Sequence, residues 1–443
     1  MVGFKNMPWL PEITSFITDN PTRRPPSAEQ NKKSSQLGIL AFEAAKTMSR
    51  LISLYKSLSD QEISRLRTDI IKSEGVSYLN SRDEEFLLSL ACAERLEDLD
   101  RAANAVSRLG QKCNDFGLNR FDLIYSELKL GITNLGRFDY ASKMIERKVR
   151  KMEKFVSATS CLHSALEALT EMEISERKLK NCKHSQLQKA NFDLFYLKLG
   201  YQRKEVRRFR EVSLWSKTFD KSVGLMARIV CVVYARIRSV FRPYLSLIET
   251  IKEQMVPHSG PLLTAAKPSF VRFYSQKSVL FSNENDGFLK NNGVFHAAGA
   301  STLGGSGLAL RYANVILLVE KYLDSTASID HDERESLYQM LPENLKALVR
   351  TKLSKNMKSV EDDELLAEGW REAMTEMMTW LAPMADNTVT WQMERNFEKM
   401  KFDAKPTVLL LQTLHFSDKE KTEAAIAEVL VGLSCICRFE NRQ

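Results

Sequence analysis

ASKMIERKVRKMEKFVSATSCLHSALEALT, residues 141–170, is the stretch that decides the fold class. Its apolar positions recur in alternating steps of three and four, which is the spacing of one face of an α-helix, and charged residues fill the other faces. This seam is typical of a coiled-coil-like helix. The segment from about 187 to 201 is predicted to return beside it as an antiparallel partner.

The sequence on both sides of this stretch also has helical patterns. It has 443 residues and 12 prolines, and none of these prolines falls between positions 27 and 242. A β-rich chain is interrupted by turns far more often. Capping boxes at Ser59–Glu62 and Ser81–Glu84 predict the starts of two further helices. We therefore predict an all-α protein with long antiparallel helices.

Composition along the chain predicts two helical domains. Residues 1–35 hold five of the prolines and are predicted to be a disordered basic arm, and residues 36–255 form an N-terminal helical domain. Residues 256–300, rich in proline, glycine and polar side chains, are predicted to be an irregular linker. A C-terminal helical domain follows at 301–440, with Pro342, Pro383 and Pro406 at its joints and its tryptophans in its core.

Charge is unevenly distributed. The net charge of the chain is +8, but residues 137–242 alone carry 24 basic and 11 acidic side chains, while residues 243–443 carry 22 and 27. A basic middle segment indicates an acidic partner, which leaves nucleic acid, an anionic lipid surface and an acidic protein as candidates. Solvated basic faces on long helices are the simpler interpretation.

Two groups of residues are candidates for binding an anion or a partner. The densest basic run contains Arg203, Lys204, Arg207, Arg208 and Arg210, which suit phosphate groups. Gly304, Gly305 and Gly307 open a predicted helix, where glycines can present bare backbone N–H groups to a phosphate. Close helix packing is the alternative role of these glycines, because no P-loop, dinucleotide or nucleophile-elbow motif is complete here.

The chain offers no catalytic constellation, metal-ligand spacing or cofactor motif, and we expect no enzyme and no cofactor. The seven cysteines form no CxxC pair and no secretory signal is visible, which favours reduced thiols in the nucleus or cytoplasm. No transmembrane segment is predicted. Valine rather than glycine follows Met1, so an N-myristoylation motif is missing.

Several stretches resemble plant domains of unknown function. TLGGSGLALRYANVI (302–316) and WLAPMADNTVTWQMERNFE (380–398) resemble one such domain. LGILAFEAAKTMSRLISLYKSLSDQEISRLR (37–67) and residues 73–113 resemble a second domain that accompanies it. Together they are similar to the phytosulfokine simulator family of plant proteins.

The resemblance implies a process rather than a reaction. It implies a signalling or scaffold protein that promotes vegetative growth in connection with the peptide hormone phytosulfokine, with nuclear residence for some members. The family supplies no catalytic residues to carry over. Binding to other proteins is therefore the first functional hypothesis, and an anion-binding module for phosphoinositide or nucleic acid is the second.

Overall fold

The structure is a computed structural model. It describes residues 35–132, 135, 138–181, 189–245, 298–324, 331–356, 363–395 and 408–440. The predicted arm at 1–35 and the predicted linker at 256–300 lie almost entirely outside these residues, as does Pro406.

The described residues form helices connected by short turns, and the only β-pairing among them is two isolated bridges, so the all-α prediction is confirmed. The helices are α1 (Ala41–Ser57), α2 (Asp60–Arg65), α3 (Glu84–Gly110), α4 (Phe116–Asn119), α5 (Phe121–Lys129), α6 (Lys143–Asn181), α7 (Lys189–Val212), α8 (Phe219–Val240), α9 (Ala309–Asp324), α10 (His331–Met340), α11 (Glu343–Asn356), α12 (Asp363–Arg395) and α13 (Lys419–Glu440). Short 3₁₀ turns (Gly38–Leu40, Leu214–Ser216, Arg242–Tyr244, Leu410–Gln412, Leu414–Phe416) and π turns (Leu66–Ile70, Val76–Asn80) complete them.

Local sequence explains several helix boundaries. The hydroxyl of Ser59 accepts the backbone N–H of Glu62 at 3.3 Å and starts α2, as predicted. The predicted cap at Ser81 was wrong by two residues, because Asp83 caps α3 by accepting from the N–H groups of the next turn.

The predicted joint at Pro383 was also wrong, since this proline lies inside α12. Packing of α12 between α9 and α13 keeps the helix continuous despite the lost hydrogen bond.

Buried side chains from both predicted domains belong to one continuous hydrophobic core. It includes Leu51 of α1, Val230 of α8, Tyr312 of α9 and Leu381 of α12. The long helix α6 joins it through Met152 and its neighbours. The predicted domain boundaries stay predictions, but the residues on either side of 246–297 pack together rather than as separate cores.

One structural unit occurs twice in this chain. In the first half, Gln36 forms an antiparallel bridge with Thr218, where a 3₁₀ turn leads into α8. In the second half, Thr302 forms the same bridge with Asp418, where a 3₁₀ turn leads into α13. The bridge is followed by a glycine with positive φ, Gly38 at 54° and Gly307 at 70°, and then by α1 or α9.

A buried threonine on the long helix of each unit holds the 3₁₀ turn. The hydroxyl of Thr159 on α6 accepts the backbone N–H of Leu214 at 3.2 Å, and the hydroxyl of Thr388 on α12 accepts that of Leu414 at 2.9 Å. Both hydroxyls donate to the carbonyl four residues earlier on their own helix. Helices α1, α6 and α8 thus correspond to α9, α12 and α13.

The two units differ in what lies between the threonine and the turn. This separation is 55 residues in the first unit and 26 in the second. The longer insert contains the second half of α6 and all of α7, which form an antiparallel helical hairpin: Gln202 on α7 donates to the Ala165 carbonyl at 2.9 Å. The predicted return helix therefore exists, and it continues through the basic run to Val212.

The two units meet at a polar junction. The carboxylate of Glu94 on α3 is 2% exposed and accepts from the Trp391 indole N–H and the Leu410 backbone N–H, each at 2.8 Å. The Asn80 side chain donates to the Leu411 carbonyl at 2.5 Å and accepts from the Ser417 hydroxyl at 2.6 Å. These bonds satisfy backbone groups of residues 410–417 that would otherwise be buried without partners.

Replacing either threonine tests the correspondence of the two units. We expect Thr159→Val and Thr388→Val each to lower the free energy of unfolding by about 1–3 kcal/mol, because a buried N–H group loses its acceptor while the side-chain volume stays nearly constant. Urea denaturation of the full chain measures this change.

Thr170→Val is the control on α6, because its hydroxyl is exposed and caps no turn. The free energy of unfolding of this variant should stay within about 0.5 kcal/mol of the wild-type value. Equal effects at all three positions would contradict the assignment.

Candidate functional site

The glycine cluster forms a closed turn rather than an open anion site. The N–H of Gly304 donates to the His415 carbonyl at 2.8 Å, that of Gly305 to the Thr302 hydroxyl at 3.2 Å, and that of Gly307 to the Gly304 carbonyl at 3.1 Å. A phosphate cradle requires N–H groups without internal partners. The arrangement therefore supports the packing role that was the alternative for these glycines.

Gly304 is needed because another residue occupies the space of a side chain. A Cβ at this position would lie 2.5 Å from both Nδ1 and the carbonyl oxygen of His415. The buried imidazole of His415 in turn stacks on Trp391, with ring centroids 6.3 Å apart. Since Trp391 donates to Glu94, the glycine turn supports the junction between the two units. The prediction that the tryptophans lie in the second half's core is confirmed for Trp391.

The basic run lies on α7, away from the glycine turn. Arg203 pairs with Glu173 and Glu176 of α6, each at 3.3 Å. Arg210 stacks over the Trp215 ring, 4.8 Å from its centroid, and Arg208 lies 5.0 Å from the centroid of Phe209. The charge of Arg203 is therefore used across the hairpin and that of Arg210 against the turn after α7, whereas, among the described residues, Arg208 contacts only its neighbour on α7 and the adjacent turn of that helix.

Lys204 and Arg207 are the members of the run that stay available. Both side chains are exposed, and neither forms an ion pair with any residue that the structure describes. The structure thus places the basic run on one helix, α7, whereas the glycine turn lies elsewhere, beside His415. A single anion site that combines both groups has no support from these contacts.

The outer face of α7 was missed from the sequence. Leu199 and Val206 are buried against α6, and on the opposite side an exposed row runs along the helix at steps of three or four residues. We call this row the outer stripe; its members are Leu194, Leu197, Tyr201, Lys204, Arg208 and Val212. The spacing is visible in the sequence, but only the fold shows which of the two faces is uncovered.

Other chemistry has little support within the described residues. No group of three or more His, Cys, Asp or Glu side chains there is arranged to hold a metal ion. No helix in the same part of the chain is long and apolar enough to cross a membrane. A cleft beside Arg95, Phe241 and Leu409 has a volume of about 20 Å³. That volume is enough for about one water molecule but not for a metabolite.

The described cysteines form no disulfide. Burial raises the pKa of Cys231 to about 12, with nearby Arg228 opposing the shift. Burial also raises the pKa of Cys113 to about 12, and the carboxylates of Asp220 and Asp115 add to the effect. Thiols with such pKa values are protonated at neutral pH and are poor nucleophiles.

Substituting one glycine separates the packing role from an anion-binding role. We expect Gly304→Ala to lower the free energy of unfolding by about 1–3 kcal/mol, because the added methyl group overlaps His415. Thermal and urea denaturation measure the change.

Gly369→Ala on α12 is the control, because open space surrounds this glycine and alanine favours a helix by about 0.5–1 kcal/mol. A Gly304→Ala protein of wild-type stability that has lost phosphate binding would contradict the packing role.

Comparisons with known proteins agree with the sequence resemblance. The family model described as a domain of unknown function, DUF3475, matches residues 39–95, and the protein of unknown function DUF668 matches residues 302–390. No solved structure matches the chain. The junction described above joins these two regions directly, because Glu94 lies in the first and Trp391 directly follows the second.

Three Arabidopsis thaliana proteins match nearly the whole chain. Protein PSK SIMULATOR 1 is 26% identical over 92% of this chain, Protein PSK SIMULATOR 3 is 28% identical over 90%, and Protein PSK SIMULATOR 2 is 25% identical over 97%. The chain spans 57%, 56% and 64% of the length of these relatives, respectively. The chain is therefore a homologue of these three PSK SIMULATOR proteins, and it carries both family-model matches.

Proposed function

We propose that the chain is a non-enzymatic signalling protein of plant cells that acts by binding other proteins. The observation that carries this proposal is the similarity to three PSK SIMULATOR proteins over 90% or more of the chain. Both matching family models describe domains of unknown function, and neither they nor the names of the relatives indicate an enzyme. As proposed, the chain works in phytosulfokine signalling, promotes vegetative growth, and resides in the nucleus, the cytoplasm or both.

The described structure supports binding rather than turnover. The buried polar groups of the junction are used to hold residues 410–417 in place, and the two cysteines with a pKa of about 12 are unsuited to nucleophilic attack. By contrast, the hairpin of α6 and α7 exposes large apolar side chains, Leu197 at 71% and Tyr201 at 67%. Exposed apolar residues with helical spacing are typical of protein interaction surfaces.

A second function, the binding of an anionic ligand, is favoured by one observation. Lys204 and Arg207 are exposed on α7, one turn apart, and form no ion pair within the described residues. A phosphoinositide headgroup or a nucleic-acid backbone fits two such cations. This alternative differs from protein binding in its dependence on salt and on nuclease treatment.

The two functions are separated by a binding experiment with the full chain. The immobilised protein is exposed to plant lysate at physiological salt, with and without nuclease, and to anionic vesicles in parallel. We expect reproducible protein partners that survive nuclease, and we expect proximity labelling in seedlings to recover the same proteins and to change when phytosulfokine is added.

The charge-reversed variant Lys204→Glu, Arg207→Glu tests the alternative, because it rests on these two cations. Binding that vanishes with nuclease, or that occurs only on anionic vesicles and is abolished by this variant, would replace protein binding with anion binding. Recovery of no reproducible protein in either experiment would contradict the proposed function.

A further inference from the structure

We propose that the outer stripe of α7 binds an amphipathic helix of a protein partner, one whose own exposed face carries carboxylates between two apolar segments. This inference rests on the proposed function and names the surface and the chemistry of the partner.

Among the described residues, the contacts that hold α7 come from its inner face. The inner face of α7 packs on α6 through Val206, which is 3% exposed and contacts Leu162 and Ala165, and through the hydrogen bond from Gln202. The ion pairs of Arg203 with α6 and the stacking of Arg210 on Trp215 add to this contact. The inner face therefore positions α7 rigidly and leaves the opposite face for a partner.

Within the part of the chain that the structure describes, the opposite face is exposed from Leu194 to Val212. Leu194 is 52% exposed, Leu197 71%, Tyr201 67% and Val212 52%. Four large apolar side chains on one face of a packed helix are unusual for a surface that stays in water, because burying apolar area is favourable.

The hairpin contributes little to the core that the two units share. None of the described side chains from 170 to 179 on α6 is buried. The second unit forms its bridge, its threonine cap and its 3₁₀ turn with an insert that is shorter by 29 residues. The unit thus folds without such a hairpin, which points to a use of the hairpin other than stabilising the fold.

The pattern of the stripe selects a helix as the partner. From Leu194 to Val212 the stripe spans 19 residues, or about 27 Å at a rise of 1.5 Å per residue, and its steps of three and four are the spacing by which helices pack side by side. Because Lys204 and Arg208 stand between the apolar ends, a matching helix needs acidic residues in the middle of its face. Arg208 is only weakly engaged by Glu205, at 3.6 Å on the surface.

A membrane surface fits this pattern less well. A helix that lies in a bilayer interface keeps its apolar residues on one face and its basic residues on the flanks. Here Lys204 and Arg208 lie in line with Leu197 and Tyr201, so immersing the apolar residues would also draw two cations into the bilayer. A protein helix with carboxylates at the same level neutralises both charges.

Site-specific photocrosslinking in the full chain tests the proposal. The photoreactive analogue p-benzoylphenylalanine replaces Tyr201 on the stripe, or replaces Phe116, an aromatic residue that is 61% exposed on α4, as the control site. After irradiation in plant cells, mass spectrometry identifies what is attached. We expect the Tyr201 site to capture protein peptides whose sequence has helical apolar spacing interrupted by Asp or Glu.

A charge-reversed pair adds a matched control. Lys204→Glu with Arg208→Glu should reduce capture at position 201 about tenfold or more, because like charges then face each other across the interface. Arg177→Glu with Lys178→Glu makes the same change in net charge on exposed positions of α6 and should leave capture unchanged. All replaced side chains are exposed, so both double variants should keep the wild-type melting temperature.

Each remaining outcome overturns the proposal. Attachment to lipid, to nucleic acid or to a second copy of this chain would assign the stripe to that occupant instead, and capture no stronger than at Phe116 would show that the stripe is not a binding surface. Protein partners found by proximity labelling without capture at Tyr201 would refute the stripe and leave the proposed function standing. The absence of partners in both experiments would refute the proposed function as well.

Discussion

The buried carboxylate of Glu94 is the interaction on which the arrangement of the two units depends. It accepts from Trp391 on α12 and from the backbone of Leu410, so one side chain of the first unit fixes a helix and a turn of the second. A buried carboxylate is costly unless its hydrogen bonds are made. Because both hydrogen bonds must form together, Glu94 favours the placement in which Trp391 and the backbone of Leu410 both reach its carboxylate.

Other features of the chain follow from this constraint. Trp391 keeps its indole directed at Glu94 because His415 stacks on it, and His415 fits only because residue 304 has no side chain. The glycine turn, which as a sequence suggested a phosphate site, is in this way part of the support for the junction. In the first unit, α7 covers the corresponding turn, and Arg210 and Phe42 contact the ring of Trp215.

The sequence alone predicted the helical class, because the spacing of apolar residues and the absence of proline are local properties. It also predicted the hairpin of α6 and α7 and the start of α2 at Ser59. The repeated unit was missed because its signature lies in backbone bonds and in two threonines that are far from the turns they cap. The segments SLWSKTFDK (213–221) and TLHFSDKEK (413–421) share only a leucine and the final lysine at equivalent positions.

The sequence identified the residues of the basic run, but it did not predict which of their side chains would be engaged within the protein and which would be exposed. The density of Lys and Arg identified the basic run, yet which arginines have partners within the protein depends on Glu173 and Glu176 across the hairpin and on the ring of Trp215. The exposure of Leu197 and Tyr201 depends on which face of α7 meets α6, and that is a property of tertiary packing. Pro383 inside α12 shows the same limit, since packing on two neighbouring helices outweighs a local signal to stop.

The most direct test of a shared core is equilibrium unfolding of the full chain followed by hydrogen exchange, with α3 and α8 reporting on the first unit and α9 and α12 on the second. If the junction at Glu94 joins the two units, all four helices lose protection in one transition at the same denaturant concentration. Two separate transitions, with one pair of helices protected while the other exchanges freely, would contradict a shared core.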